Sequence, residues 1–596
     1  MGDVIAVPDQ VRACFTGELA GPADPGYDQI RQVHNGLINK RPGLIARCRT
    51  VPDIVDAVSI GREQATEISV RGGGHGVAGL AVTDGGLMID LAPMKGIKVD
   101  RRRRTVWAQG GVSWNEFNRA AACHGLATTG GVVSTTGIAG LTLGGGEGWL
   151  MGKYGLTIDN LLAVEVVTAA GEVVTATAEE NQDLFWALRG GGGNFGVATS
   201  FEYQAHPVST VYGGLVAHPV SRARQALGFY RELTQAAPGE LTVYFSLFAD
   251  PATPEDKLAA MIACHCGDAA AAEADLKPLR QFGRPAADLI QPMPYPVINT
   301  LSDRGYPKGA FNYWKSAFFS DLSDAPLEIM VDALHRCPSP MSGLLIVPYL
   351  GAVTRVDATA TAFAHRAPGY SLVIVSQWPD PQDTEPNITW AKETFEALHP
   401  HMADRSYVNN LTAEDGRLVH HVWGANYERL VTAKRRYDPD NIFRLNHNID
   451  PSAQLQLQRH FVDRHCAEHL NGRPGGTGRW PDPGRSRPGR EQARPTTVRI
   501  REHAAPVTMK RPSPTWVPLA WACRPVSTSL PITTECRGRP SQPVRSPDRG
   551  VSPYRQPRRS SRSARGADYA VALRSTCRTN ESLFVSRRSV GPFRGR

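Results

Sequence analysis

The sequence ISVRGGGHG, residues 68–76, places a glycine-rich turn directly after a strand-like run. Glycine lets the backbone adopt positive φ and approach a ligand closely, so that its N–H groups can point at phosphate oxygens. Three further clusters follow, TGGVVSTTG (129–137), GIAGLTLGGGEG (137–148) and RGGGGNFG (189–196). Several such loops in one region predict a site for a large phosphate-bearing cofactor.

Two of these loops match the pattern G-x-G-x-x-G, at residues 74–79 and 191–196. A dinucleotide-binding Rossmann unit requires a helix immediately after the glycines. The sequences that follow here, LAVTDGGLMIDL and VATSFEY, are instead typical of turns and strands. Their context therefore excludes a Rossmann NAD site.

The glycine clusters belong to a body of ordinary globular composition. The chain has 596 residues, of which 41% are hydrophobic and 21% charged, enough for two or more domains. Runs such as LTVYFSLFA and SLVIVSQW predict strands, and WNEFNRAAACHG and TWAKETFEALHPH predict helices. The N-terminus lacks a signal-peptide pattern, no run of 18 apolar residues occurs, and the ten cysteines are irregularly spaced. We therefore expect a cytoplasmic protein with no membrane partner and no metal site.

Residues 454–596 differ from this body in composition. From residue 461 onwards there are 27 Lys and Arg against 9 Asp and Glu, whereas residues 1–460 hold 39 and 48. The formal charge of +9 therefore reflects this Arg/Pro-rich tail, and we expect no nucleic-acid partner. Without a hydrophobic period the tail is predicted to be disordered. It is either an Arg-rich RNA- or anion-binding arm or the product of a frameshift or read-through in a GC-rich gene, and the second interpretation is favoured.

The motifs of the body resemble the berberine-bridge-enzyme-like branch of the vanillyl-alcohol-oxidase superfamily. The resemblance is carried by ISVRGGGHG, GGVVSTTGIAGLTLGGGEGWLMGKYGLTIDNL, DLFWALRGGGGNFGV, YVNN and GANYERLVTAKRRYDPDNIFRLNHNIDP, which cover most of residues 30–452 in the right order. It implies an α+β fold, with a two-subdomain PCMH-type FAD-binding domain and an α+β substrate domain that contains an antiparallel sheet. The implied divisions are an N-terminal segment (1–34), the FAD-binding domain (35–207), the substrate-binding domain (208–403), a berberine-like segment returning to the FAD domain (404–453) and the tail (454–596).

The resemblance implies FAD as the cofactor, with the loop from Arg71 to Gly76 around its pyrophosphate. His75 would be joined covalently to the flavin 8α-methyl carbon, which requires a neutral imidazole nitrogen as nucleophile. The alternative is a loop histidine that only hydrogen-bonds phosphate. Many members of the branch carry a second, cysteinyl tether, but Val133 stands at that position here and cannot form a thioether. A single covalent link is therefore expected.

The cofactor-binding residues implied by the resemblance lie in the glycine clusters and in the returning segment. They are Arg71, Gly72, Gly73, Gly74, His75, Gly76, Gly79, Gly131, Val133, Ser134, Thr136, Gly137, Gly140, Gly144, Gly145, Gly148, Gly196, Val197, Asn409 and Asn446.

Two residues are candidates for the catalytic base. Glu147 replaces a tyrosine found in many plant relatives, and a carboxylate buried near the flavin could accept the substrate proton. Tyr407 belongs to the Y-x-N element that faces the flavin, and the motif favours it slightly. Glu147 could instead pair with an Arg or Lys, and Tyr407 could simply support the ring.

The predicted function is an FAD-linked oxidase. A small alcohol, sugar or amine would give a hydride to flavin N5, and dioxygen would be reduced to hydrogen peroxide. Thr136 falls where relatives place a residue associated with oxygen access, which favours an oxidase. The alternatives are a dehydrogenase that uses another electron acceptor and a catalytically inactive flavin-binding accessory protein.

Overall fold

The computed structural model of the chain describes residues 5–453, and of residues 416–420 it describes the backbone only. The Arg/Pro-rich tail, and with it the prediction of disorder, lies outside the described residues. The helices α1 to α14 are Asp9–Cys14, Tyr27–Ile30, Val51–Glu63, Trp114–Ala122, Ile138–Leu143, Met151–Tyr154, Gln182–Leu188, Ala223–Ala236, Ala269–Gln281, Tyr295–Ile298, Asp324–His335, Thr384–Leu398, Val419–Trp423 and Tyr427–Tyr437.

The strands β1 to β19 are Glu18–Ala20, Leu44–Arg47, Ile68–Arg71, Leu87–Asp90, Ile97–Asp100, Thr105–Gln109, Leu126–Ala127, Leu161–Val167, Val173–Thr177, Val197–Gln204, His206–Pro207, Thr210–Pro219, Leu241–Ala249, Lys257–His265, Ala287–Asp288, Gln291–Pro294, Phe311–Phe319, Gly343–Tyr349 and Gly369–Trp378.

The first sheet has four strands in the order β1-β2-β4-β3, with β4 parallel to both β2 and β3. Helix α3 packs on this sheet through Ile54, Ala57 and Val58. It begins at a capping box, in which Thr50 and Asp53 each accept a hydrogen bond from the other's backbone N–H. The chain passes from β3 through the first glycine loop to β4 without a helix. The sequence predicted turns and strands at this point, where a Rossmann unit would have a helix.

The second sheet has five antiparallel strands in the order β5-β6-β10-β8-β9. Helices α4, α5, α7 and α14 share one apolar core with it. The rings of Trp114 and Tyr203 both meet Phe117 edge-on, at 5.1 and 5.3 Å between centroids. Helix α5 was not predicted, because its sequence lies inside a glycine cluster. It forms because Ile138, Ala139 and Leu143 can be buried in this core.

The third sheet has eight strands in the order β15-β12-β14-β13-β18-β19-β17, with β16 also paired to β12. Every pairing in it is antiparallel. Helices α8, α9, α11 and α12 cover one face. On the opposite face Tyr244, Val347 and Tyr349 pack with Trp149 and Phe363, so this face is turned toward the glycine-rich half. The predicted α+β fold class with an antiparallel sheet is confirmed.

The last described segment is fastened to the glycine-rich half by a buried lysine. Lys434, on α14, donates hydrogen bonds to the Asp438 carboxylate at 2.6 Å and to the Asn194 carbonyl at 2.8 Å. Asp438 also accepts from the N–H of Phe443 at 2.8 Å. Because both charges of the pair are fully buried, each depends on the other for compensation. The last described segment is thus held beside the glycine cluster at residues 189–196.

Candidate active site

The first three glycine clusters are packed backbone against backbone. A Cβ atom on Gly73 would lie 2.3 Å from the nitrogen of Gly137, and one on Gly148 would lie 2.1 Å from the carbonyl oxygen of Gly130. Neither neighbour is a side chain that could move aside. Glycine is therefore required for the three clusters to meet, and together they form one rigid surface.

One side of this surface is open. A Cβ atom on Gly76 or Gly140 would meet no atom within 4 Å, and both residues are exposed. Within residues 5–453, the N–H groups of residues 73–76 donate no hydrogen bond to the chain. Free N–H groups on a glycine loop are the donors that bind phosphate oxygens. The open side is suited to an anionic group that approaches the backbone closely.

The side chain of Arg71 is turned away from this open side. Its guanidinium donates to both carboxylate oxygens of Asp90, at 2.9 and 2.6 Å, and to the carbonyls of Ile30 and Gln32. These bonds join the end of β3 to β4 and to the N-terminal segment. The Arg71 carbonyl also accepts from the N–H of Leu91 at 2.9 Å, so Arg71 anchors the loop and the free N–H groups lie further along, at residues 73–76.

His75 lies half-buried at the end of the first glycine loop. Its Nε2 is 2.8 Å from the hydroxyl of Thr135, its Nδ1 is 3.4 Å from that of Thr136, and its ring stacks on His34 at 3.8 Å. Burial, and to a lesser degree His34 and Lys308, lower the pKa of His75 to about 3. The imidazole is therefore neutral at physiological pH, as a nucleophilic nitrogen must be.

The segment that follows Val133 is bound by a residue that is distant in the sequence. Asp303, in a short turn between α10 and β17, accepts hydrogen bonds from the N–H and the hydroxyl of Ser134, at 2.8 and 2.6 Å. The N–H of Thr136 donates to the Val133 carbonyl at 3.1 Å and closes a turn. Val133 itself is half-buried.

Tyr407 and Asn409 pack against the third glycine cluster. The Tyr407 hydroxyl accepts hydrogen bonds from the N–H of Gly146 and from the Asn409 amide, both at 2.8 Å. A Cβ atom on Gly144 would lie 2.0 Å from the Asn409 oxygen. Burial, followed by the nearby Glu147, raises the pKa of Tyr407 well above its ordinary value. The phenol is therefore protonated across the physiological range.

Glu147 lies beside Tyr407 and is also held from the large sheet. The hydroxyl of Tyr349, at the end of β18, donates to its Oε1 at 2.7 Å. Burial raises the pKa of Glu147 to about 7, although this hydrogen bond opposes the rise. No cation contributes to the shift. The predicted alternative of a structural pair with Arg or Lys thus finds no partner in the described part of the chain, and the carboxyl is poised to accept a proton near neutral pH.

The face of the large sheet that adjoins Glu147 is mainly apolar. Ser316, Val373 and Leu345 lie directly opposite one another on β17, β19 and β18, and Trp314 and Val375 form the next row. Side chains alternate between the two faces of a strand, so these residues share the face that carries Tyr349. Such a floor suits the apolar body of a small molecule, and the buried hydroxyls of Ser316 and Ser371 on the same face are polar groups that can orient it.

Two protein families match the chain. Residues 42–177 match the family described as FAD binding domain, and residues 406–450 match the one described as berberine and berberine like. An FAD-linked oxidoreductase of Dictyostelium discoideum is 32% identical, over 69% of this chain and 89% of its own length. The (R)-6-hydroxynicotine oxidase of Paenarthrobacter nicotinovorans is also 32% identical, over 76% of this chain and 99% of its own.

The chain belongs to the berberine bridge enzyme-like family of FAD-linked oxidoreductases. Among solved structures, 6-hydroxy-D-nicotine oxidase from Arthrobacter nicotinovorans superposes with a TM-score of 0.67 at 30% identity, covering 73% of this chain and 98% of its own. The grass pollen allergen Phl p 4, which has glucose dehydrogenase activity, has a TM-score of 0.66 at 22% identity, covering 74% and 100%. The similarity to Phl p 4 shows only that the two proteins share a fold.

The glycine surface of this FAD-dependent oxidoreductase fits the cofactor of its family. The free N–H groups of residues 73–76 suit a pyrophosphate, and the exposed backbone at Gly140 leaves room for a flat ring system. Neutral His75 lies at the edge of the same surface. The donors and the open space are thus those that FAD requires.

The remaining predicted cofactor residues support these loops. A Cβ atom on Gly131 would clash with Leu141, one on Gly145 with Phe363, one on Gly79 with Ile38, one on Gly72 with Gly110 and one on Gly196 with Val167. Val197 is buried in the core beside β8. Asn446 donates to the Gly193 carbonyl at 3.2 Å and so joins the C-terminal return to the last glycine cluster.

Sequence reasoning missed several residues of the site. Tyr349, Asp303, Thr135 and His34 all contact a predicted residue, but none stands out by type or spacing. Thr135 offered the only usable signal, because it lies in STTG between two residues that were predicted. In the described part of the chain no group of three or more His, Cys, Asp or Glu is placed to hold a metal ion, and no helix is long and apolar enough to cross a membrane.

Proposed function

We propose that this FAD-dependent oxidoreductase is an oxidase that uses Glu147 as the base toward a small alcohol, sugar or amine. The observation that carries the proposal is the carboxyl of Glu147, whose pKa of about 7 results from burial beside Tyr349 and Tyr407. When bound, FAD supplies the acceptor for the hydride of the substrate's C–H bond. The 6-hydroxynicotine oxidases among its relatives support a small-molecule substrate.

Substrate would bind between the glycine surface and the large sheet. The floor formed by Leu345, Val373 and Trp314 would contact its apolar part and exclude water. Its reacting O–H or N–H group would then lie toward Glu147. The FAD pyrophosphate would be bound by the N–H groups of residues 73–76, and the flavin would be held through a single covalent bond to His75.

Between the two predicted bases, electrostatics favours Glu147 over Tyr407. A base is most effective when its pKa lies near the working pH, because it is then both ionised and able to hold the proton. Burial brings Glu147 into this range and moves Tyr407 out of it. Tyr407 then acts as a fixed phenol that binds Gly146 and Asn409 and shapes the site.

Dioxygen is the proposed electron acceptor. The small side chain of Thr136, beside His75, supports access to the flavin. A dehydrogenase remains the second candidate, because Phl p 4 combines the same fold with glucose dehydrogenase activity. Anaerobic reduction with substrate, followed by mixing with air, distinguishes the two. Rapid return of the oxidised flavin spectrum with hydrogen peroxide supports an oxidase, whereas persistence of reduced flavin supports a dehydrogenase.

The covalent link is tested by acid precipitation of the full chain. Flavin should remain with the protein, and a peptide that contains His75 should gain the mass of one FAD. The His75→Ala variant should bind FAD reversibly through the glycine loops and release it into the supernatant. If the unaltered protein also releases all its flavin, the link to His75 is wrong.

A further inference from the structure

We propose that Thr135, in a segment anchored by Asp303, is a positioning residue that orients the His75 imidazole for covalent attachment of the flavin. This inference rests on the covalent link proposed above and adds the residue that makes formation of this link efficient. The segment concerned is residues 134–136, immediately after the position where relatives carry a second tether.

Two hydroxyl groups contact the nitrogens of the His75 imidazole, and one aromatic ring stacks on its face. Its Nε2 lies 2.8 Å from the Thr135 hydroxyl, which is a full hydrogen bond, whereas Nδ1 is only 3.4 Å from Thr136. The ring of His34 stacks on its face at 3.8 Å with an angle of 23°. The ring has little freedom to rotate, and the stronger bond is the one to Thr135.

The contact to Thr135 fixes the orientation of the neutral ring, because the hydroxyl can either accept from Nε2–H or donate to an unprotonated Nε2. When Nε2–H donates to the Thr135 hydroxyl, the lone pair of the imidazole is left on Nδ1. Without this contact the ring has two orientations of similar energy, since the terminal torsion of histidine is broad. Only part of the molecules would then present a nitrogen in the direction required for bond formation.

Thr135 can serve this purpose because its backbone is fixed from the other half of the molecule. Asp303 accepts two hydrogen bonds from Ser134, although 169 residues separate them. Two further bonds hold the same turn, from the N–H of Asn115 to the Ser134 carbonyl and from that of Trp114 to the Thr136 carbonyl. Thr135 itself is exposed. An exposed hydroxyl on a segment held at both ends is suited to positioning and contributes little to the core.

The covalent step balances with dioxygen as the oxidant. A bond forms between an imidazole nitrogen and the flavin 8α carbon, one C–H bond of the methyl group and one imidazole N–H bond break, and two electrons pass through the flavin to dioxygen. The two hydrogens and dioxygen leave as hydrogen peroxide. In the proposed arrangement, the departing imidazole proton is the one that faces Thr135.

The test follows the rate of covalent flavin incorporation, independently of substrate turnover. The full chain is purified from riboflavin-depleted cells, mixed with FAD, sampled over time and precipitated with acid. Thr135→Val should slow incorporation by about 10- to 100-fold, the usual effect of a misplaced reacting group. Thr135→Ser should restore the rate because it keeps the hydroxyl. Asp303→Ala should slow incorporation, and Asp303→Asn should recover part of the loss.

Two measurements separate positioning from folding. Quenching of flavin fluorescence on reversible binding should be unchanged in Thr135→Val, and the Nε2 NMR signal of His75 should shift because the ring loses its hydrogen bond to the hydroxyl. Thr432→Val, an exposed threonine on α14, is the matched control and should incorporate flavin normally. Equal rates for Thr135→Val and the unaltered chain would overturn this inference and leave the covalent link intact. Complete release of flavin by the unaltered chain would overturn both.

Discussion

Tyr349 donates a hydrogen bond of 2.7 Å to Glu147, although 202 residues separate them in the sequence. The bond joins the end of β18 to the third glycine cluster and so spans the two halves of the molecule. It favours the ionised carboxylate, whereas burial favours the protonated acid and prevails. The resulting pKa of about 7 makes the chemistry of this site sensitive to changes near neutral pH.

Glu147→Gln should reduce the rate of flavin reduction by about 10²- to 10⁴-fold, the usual contribution of a positioned base. In the unaltered protein the rate should rise with pH through about 7, because the ionised carboxylate is the form that accepts a proton. Anaerobic stopped-flow absorbance measures both effects. Glu172→Gln, at an exposed glutamate, is the matched control. Near-normal reduction in Glu147→Gln would remove this residue from the mechanism.

Tyr349→Phe should move the rising part of that pH profile upwards by about one unit. The phenylalanine cannot donate to Oε1, so the ionised carboxylate loses a hydrogen bond worth about 1.5 kcal/mol. The maximal rate at high pH should change much less than the position of the profile. A uniform fall in rate without a shift would show that Tyr349 only packs against Glu147.

Tyr407→Phe should lower stability more than it alters the pH profile. The Tyr407 hydroxyl accepts from Gly146 and Asn409, and its removal leaves buried donors unpaired, at a cost of about 1–3 kcal/mol. Thermal unfolding measures this cost. Because burial raises the pKa of Tyr407, the phenol should not ionise in the assay range. Loss of an alkaline rise in flavin reduction would instead identify Tyr407 as the base.

Truncation after Ala453 should leave folding, flavin content and turnover unchanged. Arg435 donates hydrogen bonds to the carbonyls of Pro451 and Ala453, so a chain truncated there keeps these contacts of the last described segment. Circular dichroism, the ratio of flavin to protein absorbance and turnover compare the two chains. Loss of soluble flavoprotein on truncation would show that the Arg/Pro-rich tail contributes to the fold.

Much of the fold could be predicted from short stretches of sequence. The runs LTVYFSLFA and SLVIVSQW predicted β13 and β19, and the run WNEFNRAAACHG predicted α4. The absence of a helix after the first glycine loop was also visible from the sequence. Helix α5 was missed, because its glycine-rich sequence has low helix propensity and is stabilised by burial of Ile138 and Leu143 in the core.

The sequence by itself determined the family and its cofactor and identified the glycine-rich loops, because motif order and glycine content can be read directly from the residues. Only the tertiary structure decided the chemical state of the residues on those loops. The ring of His75 is contacted by Thr135, whose segment is held by Asp303, and the pKa of Glu147 depends on Tyr349 and on burial against the large sheet. Desolvation and hydrogen bonds between residues 60 to 202 positions apart set these properties, and neither exists until the chain has folded.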